Sequence, residues 1–141
     1  MKTAYLGIIA IALLVGWSVS CREGEEGELA RTTGLVGRWR YVERGYSPGA
    51  GYYVDPIPPI PMRTLTFTAS GAVSTVNMTE APFNQARYYR LDSTRSAVYL
   101  TFTDAARQPL APGVYVSIRN DTLRLSPQCF EGCHYGFVRM P

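Results

Sequence analysis

The sequence predicts an all-β protein, an antiparallel up-and-down barrel of about eight strands. Three observations predict this class. From Leu35 onward, apolar residues recur at every second position, which is the period of a strand with one buried face. Turn-forming residues separate these runs at short intervals. No window of the length of a typical helix has the 3.6-residue period of an amphipathic helix.

The predicted strands follow one another in simple order along the chain. The alternation is clearest where Val98, Leu100 and Phe102 share one face, with Tyr99 and Thr101 on the other. Turn residues such as those at 70–71, 92–94 and 120–121 separate neighbouring strands. We expect strands at 35–43, 65–68, 73–76, 87–91, 98–102, 115–118, 123–125 and 135–140. A barrel of this size either holds a small ligand or fills its interior with side chains.

The first residues of the chain have the order of a secretory signal peptide. Lys2 provides a positive start, residues 6–17 form an unbroken run of apolar residues and glycines, and short side chains at 18–20 precede Cys21. The run is too short for a membrane span, which needs about 20 residues. A buried N-terminal helix is the alternative, and no later segment offers a face to cover it. We therefore expect residues 1–20 to be removed on export.

The residues around Cys21 resemble the lipobox of bacterial lipoproteins, in which a small residue precedes a cysteine that is acylated. Ser20 and Cys21 match its last two positions, and Ser18 stands where the family usually has Leu. The resemblance implies a lipid on Cys21. The hydrophilic residues after it are typical of a flexible tether. We expect a signal peptide at 1–20, a lipid-anchored tether at 21–34 and a barrel domain at 35–141, held at a membrane of the bacterial cell envelope.

Distinctive residues lie at both ends of the predicted barrel. Gly37-Arg38-Trp39 looks like the G-x-W signature of lipocalins, and a cysteine-containing turn precedes the final strand, which includes Arg139. Together the two ends resemble those of small lipocalin-like lipoproteins of Bacteroidota. The resemblance implies that Trp39 closes one end of the barrel and that Arg139 stacks on it, which gives Gly37, Trp39 and Arg139 structural roles. Alternatively, Trp39 is an ordinary core residue and Arg139 is solvated.

Cysteine usage predicts a disulfide. The chain has three cysteines, and acylation of Cys21 leaves Cys129 and Cys133 as a pair. An oxidising compartment favours a disulfide between them. A metal site is one alternative, because His134 follows directly, but a further ligand is missing from the pattern. Covalent haem is another, although its usual motif is C-x-x-C-H, one residue shorter than this one.

The segment at 45–61 is the first candidate binding site. Its glycines and prolines make it the least strand-like part of the domain, and we expect it to fold over the open mouth of the barrel. Tyr46, Tyr52 and Tyr53 bring amphipathic aromatic surface that suits sugars, lipids or a protein partner. Alternatively, these tyrosines pack on the rim and have no binding role.

Arg87 and Tyr89 form the second candidate site. Alternation places them on one face with Leu91, so an inward Arg87 would meet a carboxylate ligand. Alternatively, Arg87 pairs with a nearby carboxylate or caps the barrel.

Charge and composition exclude some function classes. The formal net charge of +3 is too small to indicate nucleic-acid binding. With a single histidine, no triad or zinc motif is present, so we expect neither an enzyme nor a cofactor. Scattered carboxylates leave a hydrolase as a remote third possibility.

Two functions remain from the sequence. The first is an envelope module that binds a small apolar or amphipathic ligand inside the barrel. The second is a protein-interaction or inhibitor module with a solid core and a Tyr/Pro-rich binding loop. The volume of the interior distinguishes them, because large inward side chains would leave no cavity; the candidates are Phe67, Tyr89, Leu100, Phe102 and Phe137.

Overall fold

The computed structural model describes residue 29 and residues 33–141. The expected signal peptide, Cys21 and most of the expected tether lie outside the described residues. The strands of the described part are β1 (Gly37–Tyr46), β2 (Tyr53–Pro56), β3 (Thr64–Phe67), β4 (Val73–Val76), β5 (Tyr88–Ser93), β6 (Val98–Thr103), β7 (Val114–Arg119), β8 (Thr122–Ser126) and β9 (Cys133–Arg139). No helix in this part of the chain is long and apolar enough to cross a membrane.

Eight of the strands form an antiparallel up-and-down barrel, which confirms the predicted fold class. The sheet runs in the order β4-β3-β1-β9-β8-β7-β6-β5. Backbone hydrogen bonds connect β4 and β5 and nearly close the ring. The Val73 N–H donates to the Arg87 carbonyl at 2.9 Å, and the Tyr89 N–H donates to the Gly71 carbonyl at 2.8 Å.

The remaining strand, β2, lies where the sequence predicts only a loop. It pairs with the second half of β1, from Glu43–Pro56 to Tyr46–Tyr53, whereas β3 pairs with the first half. β2 and β3 therefore lie along the same edge of β1, and residues 57–63 leave the sheet between them. The aromatic and branched residues of β2 favour a strand, and its proline is at the end, where a missing N–H costs little.

Side chains fill the interior of the barrel. The ring of Phe67 lies 5.1 Å from that of Tyr89 and 6.2 Å from that of Phe102, measured between centroids. Phe83 lies edge-on to three rings, those of Phe102, Tyr135 and Phe137, at 5.3, 4.9 and 6.0 Å between centroids. All the large residues expected to point inward are buried, namely Phe67, Tyr89, Leu100, Phe102 and Phe137.

Trp39 and Arg139 close the end of the barrel at which β1 begins, here called the lower end. The guanidinium carbon of Arg139 lies 4.2 Å from the centre of the Trp39 ring, and Trp39 is fully buried. The Trp39 indole N–H donates to the Leu35 carbonyl at 2.8 Å. Arg139 donates to the carbonyls of Gly34 and Val36, at 2.6 and 3.2 Å. The expected stacking of Arg139 on Trp39 is therefore confirmed.

Gly37 permits this arrangement. Its φ of +140° lies in the region that favours glycine. A Cβ at this position would also lie 2.8 Å from a guanidinium nitrogen of Arg139. The glycine of the G-x-W signature thus makes room for the arginine that covers the tryptophan.

Phe83 closes the opposite end, here called the upper end. It belongs to the connection between β4 and β5, and only 1% of its surface is exposed. Its contact with Tyr135 places it at the level where β9 pairs with Arg44 of β1. The mouth that we expected residues 45–61 to cover is thus filled by the 77–87 connection, because a phenylalanine there fits among the core rings.

Candidate functional site

Exposed apolar side chains cluster at the upper end. They lie on the β1–β2 hairpin, on the proline-rich residues 57–63 and on the loop between the two cysteines. We define this upper apolar surface by its members Tyr52, Tyr53, Val54, Ile60, Met62 and Phe130. Tyr115, on β7, is exposed on a strand that does not pair with β1, β2 or β9. Contiguous exposed apolar patches are a common feature of interaction sites, whereas a single exposed side chain needs no such explanation.

A disulfide constrains the loop that carries Phe130. Cys129 and Cys133 are bonded, with their Cα atoms 6.1 Å apart, which confirms the expected pair. The Phe130 ring is completely exposed. The Ser47 hydroxyl donates to a Glu131 carboxylate oxygen at 3.1 Å and so connects this loop to the tip of the hairpin. Within the described residues, no group of three His, Cys, Asp or Glu side chains could hold a metal ion.

His134 connects the hairpin to β9 through two partly buried hydrogen bonds, here called the relay. Its ring is 4% exposed, and Nε2 lies 3.0 Å from a carboxylate oxygen of Glu43. The Tyr52 hydroxyl hydrogen-bonds to Nδ1, and the two rings stack at 5.9 Å. These contacts match the tautomer in which Nε2–H donates to Glu43 and Nδ1 accepts from the Tyr52 O–H. Both nitrogens are satisfied, so the relay holds Tyr52 in place.

Two glycines provide the space for this relay. A Cβ on Gly45 would overlap His134 and Tyr52, and a Cβ on Gly136 would overlap the Glu43 side chain. Glu43 passes over Gly136, and its carboxylate lies 3.3 Å from the Arg124 guanidinium. This ion pair contributes little to stability because the arginine is largely exposed. The glycines are therefore required for close approach.

From the sequence we considered His134 only as a metal or haem ligand, and we did not predict this relay. The contacts join residues more than eighty positions apart, since Tyr52 and His134 are separated by 82 residues and Glu43 and His134 by 91. Two glycines inside otherwise regular strands, Gly45 and Gly136, were the available signal, because a strand glycine often marks a close approach.

The three tyrosines of the first candidate site divide between two faces of the hairpin. Tyr46 and Tyr53 are opposite each other in the β1–β2 register, with rings stacked at 6.0 Å. The carboxylate of Asp55 beside the Tyr46 hydroxyl raises the pKa of Tyr46. Tyr52 is on the other side, against His134. The structure thus brings Tyr46 and Tyr53 together and places Tyr52 in a separate setting.

The second candidate site has a different arrangement from the expected one. Arg87 is exposed, and its guanidinium donates to the Ala86 carbonyl at 2.8 Å. Tyr89 is buried, packs edge-on against Phe67 and donates its hydroxyl to the Thr68 carbonyl at 2.5 Å. The expectation that Arg87 and Tyr89 share an inward face is wrong, because β5 begins at Tyr88 and the strict alternation does not extend back to Arg87.

Tyr41 provides a polar group inside the upper end. Its hydroxyl is buried and has no hydrogen-bond partner among the described residues. Burial, and next the carboxylate of Glu80, raise the pKa of Tyr41 well above its ordinary value. The hydroxyl is therefore neutral at physiological pH and does not act as an anion.

These features define a class of protein: an up-and-down β-barrel with a packed interior, two closed ends and most of its exposed aromatic residues in the upper apolar surface. Comparisons with protein-family models, curated proteins and solved structures found no match for this chain.

Proposed function

We propose that this chain is an envelope lipoprotein whose barrel is a scaffold for protein recognition, and that the upper apolar surface binds a protein partner. The observation that carries the proposal is the complete exposure of Phe130 on a loop held by a disulfide and by the hairpin. The filled interior favours this function over the carriage of a small ligand, the first of the two functions expected from the sequence.

Phe130 has the properties of an anchor residue at an interface. Aromatic anchors that enter a pocket of the partner contribute much of the binding energy of many interfaces. Ordering a loop on binding costs free energy, and a loop that is already cross-linked avoids much of that cost. The His134 relay has the same effect on Tyr52. The upper surface is therefore preorganised on both its loop and its hairpin.

The point at which the described chain enters the barrel agrees with this role. The chain enters at the lower end, where Arg139 contacts the Gly34 carbonyl. Tyr46 is seven residues beyond Trp39 on β1, which places it about 23 Å from Trp39 along the strand. A lipid on Cys21 would therefore attach the domain through its lower end, and the upper apolar surface lies at the other end.

Site-specific photo-crosslinking in the native host tests the proposal. A benzoylphenylalanine in place of Phe130 or Val54 is expected to crosslink one and the same envelope protein, identified by mass spectrometry. The matched control is the same probe at Tyr115, which is similarly exposed on β7. With the purified partner, Phe130→Ala is expected to weaken binding by about 30-fold, equivalent to about 2 kcal/mol. Equal crosslinks from position 115, or none from 130 and 54, would reject the proposal.

Lipidation of Cys21 has its own test. Cells that express Cys21→Ala are expected to lose radioactive palmitate from this protein, because the acyl chains have no other attachment site in the lipobox-like sequence. The double variant Cys129→Ser/Cys133→Ser is the control and should keep the label. Label that persists in Cys21→Ala contradicts the anchor.

A further inference from the structure

A cleft opens on the outer side of β1 in the gap between β2 and β3. Its volume is about 100 Å³, and it is lined mainly by Arg40, Val42, Ile57, Pro58, Pro59 and Met62. The lining is mixed: the proline and aliphatic side chains form an apolar wall, and Arg40 and Arg63 belong to the polar part. A water molecule occupies about 30 Å³ of liquid, so the cleft admits a group of only a few heavy atoms.

The cleft is built into the backbone. At one side, the Tyr41 N–H donates to the Arg63 carbonyl at 3.0 Å, and at the other the Ile57 N–H donates to the Val42 carbonyl at 2.8 Å. Consecutive prolines between these bonds restrict the φ angles of the wall. A preformed wall binds a group without the cost of ordering the chain first.

The two arginines of the rim differ in charge compensation. Arg63 lies 2.6 Å from a Glu80 carboxylate oxygen and is neutralised by it. Arg40 is exposed and makes no ion pair with any residue in the described part of the chain. A guanidinium without an ion-pair partner beside an apolar wall is complementary to a carboxylate attached to a small apolar group, since its planar donors match the two carboxylate oxygens.

We propose that this cleft binds the C-terminal residue of a partner polypeptide, with an apolar side chain in the cleft and the terminal carboxylate on Arg40. This inference rests on the proposed function and adds the chemistry that the partner must present. A C-terminal residue carries both groups on one carbon atom, its Cα, as the cleft beside Arg40 requires. An internal aspartate or glutamate would bring the carboxylate without filling the apolar part.

Methionine NMR of the full chain, purified in detergent, tests the inference with a small probe. Met62 lines the cleft and is partly exposed, whereas Met78 is buried elsewhere and serves as an internal reference. With carbon-13 in the methionine methyl groups, N-acetyl-leucine is expected to shift the Met62 signal saturably and to leave Met78 unmoved. N-acetyl-leucine amide, which lacks the charge, is expected to bind about tenfold more weakly, since an ionic hydrogen bond is lost.

Two arginine variants distinguish binding in the cleft from a general effect of surface charge. Arg40→Gln is expected to reduce the affinity for N-acetyl-leucine about tenfold, and Arg38→Gln, an exposed arginine of the same strand outside the cleft, should leave it unchanged. A Met62 signal that stays unmoved, or that moves equally with the amide or in Arg40→Gln, overturns the inference. If N-acetylglycine, which has no side chain, binds as tightly as N-acetyl-leucine, the proposal that an apolar side chain occupies the cleft is wrong. Because the probe is a small acid, this failure is distinct from a failure of the crosslinking at Phe130.

Discussion

Phe83→Ala is expected to destabilise the protein by about 3–5 kcal/mol, the usual cost of removing a buried aromatic ring. The ring is almost fully buried and touches Phe102, Tyr135 and Phe137, so its removal leaves a cavity among rigid neighbours. Urea unfolding, followed by tryptophan fluorescence, measures the loss. Because domains of this kind are stabilised by only about 5–15 kcal/mol, this loss is a large fraction of the free energy of unfolding.

The same variant tests whether the barrel becomes a carrier when its plug is removed. An apolar cavity of sufficient size takes up small apolar molecules, and benzene should therefore raise the melting temperature of Phe83→Ala more than that of the unsubstituted chain. Phe130→Ala is the matched control, because its ring is exposed and its stability should change by no more than about 0.5 kcal/mol. Wild-type stability in Phe83→Ala would show that the ring does not close the upper end.

Trp39→Ala, at the lower end, is expected to lower the free energy of unfolding by a similar amount, about 3–5 kcal/mol. The indole is fully buried, donates to the Leu35 carbonyl and lies under Arg139. Its loss removes core packing and leaves the Leu35 carbonyl without this donor. If this variant does not fold, Trp39→Phe keeps an aromatic ring, and its smaller loss is still measurable by urea unfolding, followed by circular dichroism.

Arg139→Gln measures how much the arginine that stacks on Trp39 contributes to stability, because Trp39 itself is left in place. It removes the stacking on Trp39 and the guanidinium hydrogen bonds to two carbonyls, so the loss should exceed the 0.5–1 kcal/mol or so of an exposed cation–π pair alone. Arg124→Gln, whose partner Glu43 is reached at the surface, is the control and should change stability little. If both arginine variants are equally mild, Arg139 does not hold the lower end closed.

Because the barrel is closed at both ends, a binding partner would contact its outer surface. The two closures use different parts of the chain, the start of β1 with the end of β9 below and the 77–87 connection above. The groups that remain available for recognition are then those on the hairpin, the cysteine loop and the cleft at Arg40. The proposed partner binds a rigid exterior, and the core supplies the stiffness that keeps this exterior preorganised.

The sequence by itself determined most of the strands and their order. A period of two is a local property, because neighbouring side chains of a strand face opposite sides whatever the strand pairs with. Segments such as Val98–Thr103 and Val114–Arg119 were therefore recognisable from apolar spacing alone. The even count of cysteines after the expected lipidation predicted the Cys129–Cys133 bond, and a family resemblance predicted Arg139 over Trp39.

Only the tertiary structure decided the features on which binding depends. β2 is exposed at every position, so it has no alternation to detect, and its pairing with β1 arises from the register of the hairpin. The orientation of Arg87 depends on where β5 begins, and the filling of the interior by Phe83 depends on a connection without periodic pattern. The His134 relay requires β1 and β9 to be neighbours, with Gly45 opposite His134. Contacts between residues distant in sequence form only when the sheet closes, so the spacing of apolar residues along one strand cannot predict them.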